Sequence, residues 1–91
     1  MDIKQALNTI KDEYIDNAVG TFDSFNTYHE GYAVLKEELD ELWDEIKGKQ
    51  RKRVLIEEAS QVGAMALRFL IDLCEDVEIT DTIYRDPDPL K

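Results

Sequence analysis

The sequence predicts an all-α fold, a bundle of three main helices forming a single domain over residues 1–91. Apolar residues recur at steps of three and four through most of the chain, and strand-like alternation persists nowhere for long. Only four Gly and two Pro interrupt the pattern, and Pro87 and Pro89 both fall in the last five residues. A chain of 91 residues leaves no room for a second hydrophobic core.

The first helix is expected from about Asp2, a plausible N-cap, to Val19, with Ile3, Leu7, Ile10 and Tyr14 on one stripe. Gly20 ends it, and GTFDSFNT reads as a loop. The second runs from about Tyr28 to Lys47, capped by Asn26 or Thr27 and stopped by Gly48. The third runs from about Arg53 to Asp76. The tail, residues 77–91, has room for one more helical turn, and its DPDP stretch must be extended.

Placing residues at 100° per step divides each helix into faces. On the second, Tyr28, Tyr32, Leu35, Leu39, Leu42 and Ile46 form an apolar arc with Trp43 at its edge. Glu38, Glu41 and Glu45 make a row along the border of that arc, and Asp40 and Asp44 point away to solvent. The third helix is apolar over a wider arc, from Leu55 and Ala59 to Leu73 and Cys74. A helix this apolar is normally covered on several sides, so a homo-oligomer, dimer or tetramer, is expected to complete the bundle. One narrow stripe departs from the apolar pattern: Glu58, Gln61, Met65, Arg68 and Asp72.

Composition narrows the function classes. A hydrophobic fraction of 43% fits a folded chain, and a formal charge of −10 opposes direct nucleic-acid binding through phosphate neutralisation. The start, MDIKQALNTIKDEY, lacks the apolar run of a signal peptide, and no segment has the length of a membrane span. A lone Cys74 cannot form an internal disulfide, which points to a reducing cytoplasm. Cys74 lies on the apolar arc and reads as a packing residue, and His29 reads as a surface or capping residue. Trp43 suits a core or interface, or a base to stack on.

The chemistry sits where two stripes meet. Glu38 and Glu41 are three apart on one helix, and Glu58 and Gln61 are three apart on the next. Antiparallel packing through a short turn brings such pairs face to face, and four oxygen donors from two helices suit Mg²⁺ or Mn²⁺. A solvated acidic face is the alternative. Lys47, Lys49, Arg51, Lys52 and Arg53 gather at the turn, where Lys49 and Arg51 are candidates for phosphate binding or a merely solvated basic loop. Arg68, two turns beyond Gln61, is either a phosphate ligand or the ion-pair partner of Asp72.

EELDE, residues 37–41, resembles the EExxE motif of the MazG-like, all-α nucleoside triphosphate pyrophosphohydrolases. In that family an ExxD motif follows on the next long helix; here the segment reads EASQ, so Gln61 stands where an aspartate is expected. The resemblance covers roughly residues 28–76. It implies Mg²⁺- or Mn²⁺-dependent cleavage of a nucleoside triphosphate between its α- and β-phosphates, releasing pyrophosphate. It also implies that Glu38, Glu41 and Glu58 ligate the metal, and that Glu37 orients or deprotonates the attacking water. A Gln61 amide oxygen can coordinate a cation but contributes no negative charge. Two readings from other classes stand beside this one: a non-catalytic acidic helical oligomer that kept the fold, and an acidic decoy that imitates DNA.

Overall fold

Asp2 starts α1 (Ile3–Glu13) with a reciprocal cap. Its carboxylate accepts from Gln5 N at 2.8 Å, and Asp2 N donates to the Gln5 side chain at 2.9 Å. The computed structural model describes residues 1–18 and 24–74, and among these there are helices and no strands. The first helix does not stay α-helical to Val19 as the apolar stripe suggested. After Glu13 it widens into a π turn, Tyr14–Ala18.

Thr27 caps α2 (Tyr28–Lys47), its hydroxyl accepting from Glu30 N at 3.0 Å. Gly48 closes that helix by donating its N–H to the carbonyls of Asp44 and Glu45. Gln50 then adopts a left-handed conformation (φ 53°), which turns the chain into α3 (Lys52–Leu73). The basic turn places positive charge at the wrong end of the α3 dipole, and Glu45 offsets it. Its carboxylate accepts from Arg51 N at 2.8 Å and from the Arg51 guanidinium at 3.0 and 2.8 Å. Those bonds hold the Glu45 carboxyl well below the usual range, at about 2. The expected reach of the third helix to Asp76, and the whole tail, lie beyond the described residues.

Two glycines set how closely the helices approach. A Cβ on Gly31 of α2 would lie 2.6 Å from Phe69 Cδ2 and 2.9 Å from Leu73 Cδ1, both near the end of α3. The start of α2 thus packs on the end of α3, an antiparallel pair. On α3, a Cβ at Gly63 would lie 2.9 Å from Ile10 Cδ1, so α1 crosses there. Ala18, Phe25, Ala64 and Met65 are buried at the junction, with Tyr14, Val34, Leu35, Phe69 and Leu73 packed round them.

The inward face of α3 is Ser60, Ala64, Met65 and Arg68. Part of the stripe that broke the apolar pattern therefore lies inside the chain. Much of the apolar pattern lies outside: Leu70 on α3, Tyr28, Tyr32, Leu39 and Trp43 on α2, and Ile3 and Leu7 on α1 are all more than half exposed. Three helices cannot cover one another on every side, and the geometry gives priority to close helix contact over burial of the largest side chains. No described helix is long and apolar enough to cross a membrane.

Candidate metal centre

The antiparallel pairing brings Glu38 and Glu41 of α2 against Glu58 of α3. One carboxylate oxygen from each lies within 4.8 Å of the others. Glu38 and Glu58 are half-buried and Glu41 is exposed, so the cluster sits at the edge of the interhelical seam. The Gln61 amide lies between them. With its nitrogen toward the carboxylates, it donates to Glu38 Oε2 at 2.8 Å and to Glu58 Oε2 at 3.2 Å. A half-turn of the amide puts the carbonyl oxygen in the same place, because the two orientations have the same shape.

Electrostatics in the cluster are unfavourable for full ionisation. Burial, then the charge of Glu41, pushes the Glu38 carboxyl up to about 7; Glu58 and Glu37 add to the effect. Glu58 is raised for the same reasons, burial first and Glu41 second. The group therefore takes up a proton or gains from a cation. Three carboxylate oxygens and an amide oxygen are hard donors of the kind Mg²⁺ and Mn²⁺ accept, so the residues present fit such an ion.

Glu37 is exposed beside the cluster. Asp40 pairs with Lys36 at 3.0 Å and Asp44 with Lys47 at 3.5 Å, both on the outer face. Of the basic residues, Lys49 is exposed and Arg51 is engaged by Glu45. Arg68 is 3% exposed: its Nε donates to Asp72 Oδ2 at 3.1 Å and its Nη1 to Ala18 O at 3.1 Å. Its guanidinium also lies 4.7 Å from the Phe25 ring centroid. The pairing with Asp72, left open by the sequence, is thus formed. Asp72 Oδ2 accepts from Phe25 N as well, at 3.1 Å, so this ion pair fastens residues 18 and 25 to α3.

A cleft of about 470 Å³ opens beside the cluster, lined by Glu13, Asn17, Ala18, Glu38, Glu57, Gln61 and Met65. Glu13, Asn17 and Glu57 were not singled out from the sequence. Glu13 and Asn17 stand four apart, a spacing that marks a shared helix face, but nothing in the sequence turns that face toward α2 and α3. No family model matches the chain, and neither a curated protein nor a solved structure matches it.

Proposed function

We infer that the protein is a divalent-cation-dependent nucleoside triphosphate pyrophosphohydrolase that cleaves between the α- and β-phosphates. The observation that carries this reading is the convergence of Glu38, Glu41 and Glu58 from two helices, with the Gln61 amide between Glu38 and Glu58. Glu38, Glu41, Glu58 and the Gln61 carbonyl oxygen hold the ion. Bound Mg²⁺ or Mn²⁺ supplies charge neutralisation for the phosphates and polarises the attacking water. Glu37, exposed next to Glu38, orients that water or takes its proton. Of the three phosphate-binding candidates, Arg51 and Arg68 are engaged within the chain and Lys49 is exposed, so Lys49 and the ion meet phosphate charge. The exposed apolar faces of α2 and α3 support a homo-oligomer, dimer or tetramer. The lone Cys74 supports a reducing, cytoplasmic setting.

Pyrophosphate release from common and modified nucleoside triphosphates, measured with Mg²⁺, with Mn²⁺ and with chelator, tests the proposal. Release that needs the cation and is lost in Glu58→Gln supports it; no release from any triphosphate refutes it. The second reading, an acidic helical oligomer without catalysis, is favoured by Gln61 itself. Its amide can satisfy Glu38 and Glu58 by hydrogen bonds alone. Gln61→Asp separates the two: tighter cation binding and regained or raised hydrolysis point to a weakened enzyme site, and no change in either points to the oligomer.

A further inference from the structure

The cleft next to the carboxylate cluster has an apolar floor and a polar rim. Met65 and Ala18, 5% and 1% exposed, lie at its base. Its rim carries the Glu13, Glu38 and Glu57 carboxylates and the Asn17 and Gln61 amides, and among the described residues no Lys or Arg lines it. Such a rim repels a phosphate chain and attracts N–H donors. Its floor suits a flat apolar ring face. A volume of about 470 Å³ is in the range of small-molecule sites. Glu38 and Gln61 belong to both the cluster and the cleft lining, so a nucleotide whose phosphates lie at the cation end can seat its base in this cleft.

The wall facing that base is the π turn. Such turns are rare and frequently occur at functional sites. Here the turn is fixed from below by the buried Arg68, which donates to Ala18 O. On the turn, Asn17 Nδ2 donates to Glu13 Oε2 at 2.8 Å, which holds the carboxylate in place. A carboxylate has about four lone-pair sites, so accepting from Asn17 leaves capacity for two parallel donors. Of the common bases, guanine alone presents two adjacent donors, N1–H and N2–H, on its pairing edge. Cytosine and adenine place one amino group beside an acceptor, and uracil and thymine a single N–H between carbonyls.

We propose that Glu13, positioned by Asn17, reads the N1–H/N2–H edge of a guanine base seated in this cleft, and so sets the nucleotide preference. The assignment rests on the cation-dependent reading above for where the phosphates lie. Calorimetric binding of GMP and IMP to the full chain with Mg²⁺ tests it, because IMP lacks only the 2-amino group. GMP is expected to bind roughly tenfold more tightly than IMP, with the preference reduced to about twofold or less in Glu13→Gln. Retention in Glu13→Gln of the cation-induced rise in melting temperature shows that the fold and the cluster are intact. Equal binding of GMP and IMP, binding of neither, or a preference unchanged in Glu13→Gln overturns the assignment. Hydrolysis of GTP and ITP at equal kcat/KM sinks the base assignment alone. A GMP preference without pyrophosphate release from GTP supports the base assignment and sinks hydrolysis.

Discussion

Replacing Glu38 by glutamine removes one charge from the cluster and keeps the side chain's shape. The folded Glu38 carboxyl titrates near 7 against an ordinary value of 4.5, so the folded state holds the proton more tightly than the unfolded chain. The associated stability is fully present below 4.5 and is lost as pH rises through about 7. Complete conversion of that difference corresponds to ~3 kcal/mol, and partial solvent exposure of the carboxylate reduces it to ~1–2 kcal/mol. At pH 8 in chelator, Glu38→Gln should be the more stable protein by that amount, a rise in Tm of roughly 5–10 °C. At pH 4 the two proteins should melt together. Millimolar Mg²⁺ should then close most of that gap, because a cation at tenfold excess over its Kd adds ~1.4 kcal/mol to the wild type and little to the variant. Circular-dichroism melts at the two pH values, with and without Mg²⁺ at fixed protein concentration, read all of this. A variant less stable than wild type in chelator at pH 8, or one that responds equally to Mg²⁺, refutes the cluster as a strained cation site.

Other side chains give independent checks. Gly31→Ala puts a methyl group 2.6 Å from the Phe69 ring, and the overlap should outweigh the gain in helix propensity by ~1–2 kcal/mol in urea unfolding. Arg68→Ala strands the Asp72 carboxylate and the Ala18 carbonyl and should cost ~3 kcal/mol or more. Pairing it with Asp72→Asn should recover part of that loss. Glu45, held at about 2 by Arg51, contributes stability present above 4.5 and lost as pH falls through about 2. In acid titrations followed by circular dichroism, Arg51→Ala should therefore unfold at a higher pH. Trp43, the single tryptophan, is 53% exposed on the chain, so its emission should shift to the blue as protein concentration rises, and Leu39→Glu, which charges the same exposed apolar patch and keeps the tryptophan, should abolish that shift.

Local chemistry made the helices legible before any coordinates. Asp2, Thr27 and Gly48 carry their stop and start signals in their own side chains or in the lack of one, and each acts within a single turn. The pairing of Glu38 and Glu41 with Glu58 was legible for a related reason. A short turn forces α2 and α3 antiparallel, and spacings of three place each pair on one face. The π turn was not legible. The periodic stripe runs through it unbroken, and the bond that anchors its last residue, Arg68 to Ala18 O, spans fifty residues, so no local pattern encodes it.

The sequence by itself determined the three described helices, the start of the first, both ends of the second, and which residues share a face. Only the tertiary structure decided which face lies inside. Periodicity fixes an angle about a helix's own axis, whereas burial depends on where the neighbouring backbones come closest. Gly31 and Gly63 allow that approach, and it turns Met65 and Arg68 inward while leaving Leu70, Leu39 and Trp43 exposed. The same approach brings the π turn, with Glu13 and Asn17, to the cleft beside the carboxylates.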